Sequence, residues 1–89
     1  MKKKTVYLVM GSSGEYDDFQ EWPVVVYSNW SKADEHARRA DKFDREWRKN
    51  NPKAFAEEYA NPFDSTVTRS YYQNFYVVEE IEMLEEVPA

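Results

Sequence analysis

The sequence predicts an α+β protein, with a three-stranded antiparallel or mixed sheet of order 2-1-3, chain order β-β-α-α-β, and one long and one short helix on one face. Three observations carry this prediction. Thr5 to Met10 is a β-branched and aromatic run that is apolar on both of its alternating sides, as a covered central strand is. From Trp30 the apolar residues recur three or four positions apart, which is helical spacing. From Tyr71 to Leu84 the period returns to two.

In the first strand Val6, Leu8 and Met10 lie on one side, Tyr7 and Val9 on the other, and Gly11 ends the run. Gly11-Ser12-Ser13-Gly14 opens a polar loop that runs to about Trp22, and Pro23 suits the start of an edge strand continued by Val24 to Tyr27. Strands one and two should form an antiparallel hairpin with a long connection.

Ser28 is placed to cap a helix whose stripe is Trp30, Ala33, Ala37, Ala40, Phe43 and Trp47. Its outer face carries acid-before-base pairs four residues apart: Asp34 with Arg38, Glu35 with Arg39, Asp41 with Arg45 and Asp44 with Arg48. Such pairs are worth about 0.2 to 0.5 kcal/mol each and mark a solvated helix surface. Asn50-Asn51 ends this helix, and Asn51-Pro52 starts a short second one, Lys53 to Ala60, that Asn61-Pro62 stops. Phe63 to Ser70 is turn-rich. In the last strand Phe75, Val77, Ile81 and Met83 alternate with Tyr76, Glu80 and Glu82. A crossover from strand two through the helices makes strand three parallel to strand two and antiparallel to strand one.

Composition narrows the functions. At 89 residues the chain is read as one domain, 1–89, and so small a domain hides only about 60 to 65 % of its unfolded surface, which disfavours a deep cavity. Without cysteine there is no disulfide, thiolate nucleophile or thiolate zinc site, and a reducing cytoplasm is the natural setting. The apolar run behind Lys2, Lys3 and Lys4 stops at Met10, too short for a secretory signal or a membrane span.

Catalytic chemistry finds few candidates. His36 is the sole histidine, so neither a two-histidine metal site nor a histidine relay can form in one chain, and it reads as a helix-surface residue. The Gly11 to Gly14 loop lacks the Gly-Lys-Ser/Thr ending of a phosphate loop, and the Glu15, Asp17 and Asp18 that follow would repel a phosphate. Those acids also lack the alternating ligands and distal glutamate of a calcium loop. No enzyme activity, cofactor, metal, small-molecule substrate or membrane contact is inferred.

The net charge of −5 is concentrated in two places, the loop with Glu15, Asp17, Asp18 and Glu21, and the last strand with Glu79, Glu80, Glu82, Glu85 and Glu86. In the 2-1-3 order Lys2 to Lys4 neighbour Glu82 to Glu86, so part of the acid is a cross-strand match. The helix bases alternate with acids and form no cationic patch, which disfavours direct nucleic-acid binding.

One sheet face is left open by the helices, and Tyr7, Val9, Val25, Tyr27, Tyr76 and Val78 are expected on it unless residues 50–70 fold over them. An exposed aromatic patch marks a protein contact, with another protein or with a second copy as a homodimer. The candidate partner-binding residues are therefore Glu15, Tyr16, Asp17, Asp18 and Trp22 in the loop, Tyr7, Tyr27 and Tyr76 on the face, and Glu79 and Glu80 on the last strand. The alternative is an acidic nucleic-acid mimic that inhibits a DNA- or RNA-binding host protein.

Tyr7-Leu8-Val9, followed by Ser13-Gly14-Glu15-Tyr16-Asp17-Asp18, resembles the opening strand and loop of small uncharacterised proteins of tailed phages and prophages. Val26, Tyr27, Ser28, Ala33 and Ala37 and the closing Tyr76-Val77-Val78-Glu79-Glu80-Ile81 extend the resemblance. It implies a phage accessory protein that acts on a host protein in the host cytosol, and it implies no catalytic residue.

Overall fold

The computed structural model describes residues 2–85. Its elements are β1 (Lys2–Ser13), β2 (Gln20–Tyr27), α1 (Trp30–Asn50) and β3 (Asn74–Glu85), with single 3₁₀ turns at Tyr16–Asp18 and Ala56–Glu58. The sheet has the expected order β2-β1-β3, and both pairings are antiparallel, so β2 and β3 run in the same direction on either side of the central strand. The second helix is reduced to the 3₁₀ turn, because Phe55 and Tyr59 bracket it with extended backbone.

β1 does not stop at Gly11 but pairs with β3 along its whole length, from Lys2↔Glu85 to Ser13↔Asn74. The reason lies in the opposite residue. Trp22 stands across from Gly11, and a Cβ on Gly11 would lie 2.6 Å from the indole, so the glycine gives the ring room to lie over the strand. The β1–β2 register shifts between Val9 and Met10, so that Val25 faces Val9 but Pro23 faces Met10. This bulge at Val24, next to a proline on an edge strand, moves Trp22 to the face that also carries Val25 and Tyr27.

Asn29, not Ser28, caps α1, its side chain accepting the Lys32 N–H at 3.2 Å. Ala33, Ala37 and Ala40 bring the helix close to the sheet and form the core with Val9 and Tyr76, flanked by Tyr7, Val24, Val25, Tyr27, Phe63 and Val78. The face expected to lie open is thus the one that α1 covers, with Phe63 closing one side. β1 is apolar on both faces, and the small alanines fit against the larger Val9 and tyrosine side chains. The open face carries Val6, Leu8 and Met10 of β1, Val26 of β2, and Phe75, Val77, Ile81 and Met83 of β3.

Candidate functional site

The loop that joins β1 to β2 is exposed from Glu15 to Gln20. Gly14 has φ +81°, and a Cβ there would collide with the Asp18 carbonyl, so the turn requires glycine. Tyr16 takes a left-handed φ of 53° and is 94 % exposed, so a bulky side chain is held in a costly conformation at the tip of an acidic loop. The Tyr72 phenol reaches Asp18 Oδ2 at 3.5 Å, and an open cleft of about 720 Å³ separates Asp17, Asp18 and Trp22 from the segment Thr66 to Tyr72.

The expected partner residues are dispersed. Glu15, Tyr16, Asp17 and Asp18 share the loop tip. Glu79 and Glu80 are exposed farther along β3, opposite Leu8 and Tyr7, so Glu79 points to the open face and Glu80 to the helix side. Five residues of strand, about 17 Å, separate Glu79 from the loop end of β3, so the acids make two areas. Lys3 and Glu82 lie diagonal to each other on one face, as the cross-strand match requires; Glu86 is outside the described residues.

The aromatic members are interior residues. Tyr7 and Tyr27 are half-buried against the core. Tyr76 is buried, and its phenol donates to Asp64 Oδ2 at 2.8 Å; Trp22, half-buried, donates its indole N–H to the same oxygen at 2.8 Å. They serve a buried carboxylate, so they do not line the open face. The Asp64 carboxylate also accepts the Thr66 backbone N–H and, at 2.5 Å, the Thr66 hydroxyl, so four donors compensate a buried anion.

The pairing pattern of the sequence puts Asp44 among the solvated acids of α1, and the structure does not. Asp44 is completely buried; it binds Arg48 and accepts the Asn74 backbone N–H at 3.1 Å, and Arg48 goes on to donate to Ser70 Oγ. The position carries a signal, since Asp44 lies four residues past Ala40 on the stripe that faces the sheet. Asn74 Nδ2 is the buried side-chain atom left without a partner among the described residues; its Oδ1 sits 3.3 Å from Ser70 Oγ, so turning the amide over would pair Nδ2 there.

His36 is half-buried. The Phe63 carbonyl can only accept, so His36 Nε2–H donates to it at 2.6 Å, and Nδ1 meets the Tyr27 hydroxyl at 2.9 Å. The ring thereby ties β2, α1 and the segment after Asn61 together, with both nitrogens used. Asn61 closes the same segment, donating to the Ala40 carbonyl and to the Tyr59 hydroxyl and accepting from the Phe63 N–H. Burial pushes the Tyr59 and Tyr76 phenols above their usual range and raises the Asp41 carboxyl, whose backbone bond from Tyr76 works the other way.

These groups tie distant segments of the fold together through bonds to protein partners. Among the described residues no cluster of three or more His, Asp or Glu has the geometry to hold a metal ion, and no helix is long and apolar enough to cross a membrane. The open sheet face is different in kind. Val26, Phe75, Val77 and Met83 each leave more than half of their surface exposed on it, and Leu8, Met10 and Ile81 are only partly covered. No protein-family model matches the chain, and no curated protein or solved structure matches it significantly.

Proposed function

We propose that this protein is a non-enzymatic binding module for another protein, and that it works through the open face of its sheet. The observation that carries this reading is the uncovered apolar surface of Val26, Phe75, Val77 and Met83 around Leu8, Met10 and Ile81. A layer of α1 covers the other face, so water meets one side of a three-stranded sheet whose central strand is apolar on both. Contiguous apolar surface of this kind marks protein contacts, because burying it against a partner returns roughly 25 cal/mol per Å². Tyr16 at the tip of the acidic loop adds an exposed aromatic group next to exposed carboxylates, a combination suited to the rim of an interface. The resemblance of the first strand and loop to small phage proteins supports a host protein as the one bound.

Affinity capture with the wild-type chain and with Val77→Lys tests the reading, because Val77 is exposed and its replacement leaves the core intact. One protein retained by the wild type and lost with Val77→Lys is the expected result. Equal retention by both chains counts against the open face. A wild-type chain that captures nothing and sediments as a monomer at every concentration counts against the module itself.

A further inference from the structure

β1 has two edges, and they are unequally used. Its pairing with β3 runs from Lys2 to Ser13, whereas its pairing with β2 starts only at Tyr7. β2 ends at Tyr27 because Ser28 leaves the sheet and Asn29 caps α1. Lys2 to Val6 therefore keep one edge of backbone N–H and C=O groups without a strand beside it among the described residues, and no backbone bond outside the sheet reaches them. This stretch forms a two-stranded arm of β1 and β3, in keeping with the 55 Å long axis of the molecule.

We infer that this free edge of β1, Lys2 to Val6, receives an extended acid-rich peptide segment of a partner protein, which adds to the sheet in line with β2. Three observations select that occupant. The edge is open where a fourth strand would find unsatisfied hydrogen-bonding groups. Lys2, Lys3 and Lys4 are exposed on it, alternating between the two faces, so an incoming strand with acids on both faces meets a cation on each. The opposite edge of the same residues already holds such a strand, with Glu82 and Glu85 standing across from Thr5 and Lys2. A second copy pairing through the same edge would bring lysine against lysine, so the charge excludes self-pairing. The hydrogen-bonding edge borders the open face at Lys4 and Val6 but is not the apolar surface invoked above, and its test does not depend on that reading.

The probe is a synthetic peptide copying residues 79–85, Glu-Glu-Ile-Glu-Met-Leu-Glu, titrated into the full isotope-labelled chain while backbone amide shifts are followed by NMR. The expected result is a shift centred on Lys3 to Tyr7, with binding that weakens steeply as salt is added. An analogue with glutamine at every glutamate binds about tenfold more weakly, and one methylated at every backbone nitrogen does not bind. The same double loss of charge made on the protein, Lys3→Gln with Lys4→Gln, weakens the original peptide by a similar factor, whereas Val77→Lys leaves its binding unchanged. Absence of any shift, retention of the methylated peptide, or shifts centred on the helix bases Arg38 and Arg39 would overturn the inference.

Discussion

Arg48 clasps the fully buried carboxylate of Asp44 from one helical turn away, its Nε and Nη2 each 3.1 Å from a carboxylate oxygen. The Arg48 side chain keeps about a quarter of its surface in contact with solvent, and its guanidinium packs near the Tyr59 ring, its centre 5.3 Å from the ring centroid. One side of the pair thus stays wet while the other is sealed, and the Asn74 backbone N–H and Ser70 hydroxyl join the start of β3 to the helix through it. The three surface pairs of α1 have no such surroundings and are worth little.

Replacing Arg48 by Met leaves Asp44 without its cation while the carboxylate stays buried. The expected cost is about 3 to 5 kcal/mol in urea unfolding. Asp44→Asn added to Arg48→Met recovers part of that loss, since the neutral amide can still accept the Asn74 N–H. A single variant as stable as the wild type would show that the pair carries no stability.

Asp41 is raised above its ordinary value of 3.8, chiefly by burial. A raised acid binds its proton more tightly in the folded chain, so its contribution is complete below 3.8 and is lost as pH rises through the folded value. Asp41→Asn retains an oxygen for the Tyr76 N–H and removes the desolvated charge. The unfolding midpoint of this variant therefore falls less than that of the wild type between acid and neutral pH; parallel curves would refute the assignment.

Tyr59 and Tyr76 are both held above the ordinary phenol value of 10.0, first by burial, with the Asp64 carboxylate adding to the rise at Tyr76. Their protons stay bound in the fold after an unfolded chain has begun to lose them. Stability is thus intact below 10.0 and declines with further rise in pH. In an ultraviolet titration the phenolate of Tyr76, identified by difference from Tyr76→Phe, is expected only as circular dichroism reports unfolding. Its appearance in the folded protein would contradict the buried bond to Asp64.

Gly11→Ala places a methyl group 2.6 Å from the Trp22 indole, and the ring must move off Asp64. Overpacking and the lost hydrogen bond together cost about 1 to 3 kcal/mol. A change in tryptophan emission should accompany the loss. Unchanged emission with unchanged stability would mean that the ring has slack at this point.

Much of the scaffold was legible along the chain. The doubly apolar run at Thr5 to Met10 placed the first strand at the centre, and the change of period at Trp30 located the long helix. The alternation after Tyr71 supplied the third strand, and a loop rich in Glu15, Asp17 and Asp18 was visible as exposed acid. These are local patterns, and backbone periodicity expresses them directly.

Tertiary structure alone decided which side of the sheet α1 covers. A strand apolar on both faces ranks neither, and three small alanines select the face with Val9 and Tyr76. It also decided that Trp22 and Tyr76 turn inward, through a one-residue bulge at Val24 and a carboxylate 42 positions beyond the tryptophan. Aspartates in a polar stretch look solvated until their donors are known, and Asp44 and Asp64 each take a donor from a distant segment besides a local one. The exposed apolar surface was therefore foreseen as a consequence of a single covering layer, but its residues are those that the helix left behind.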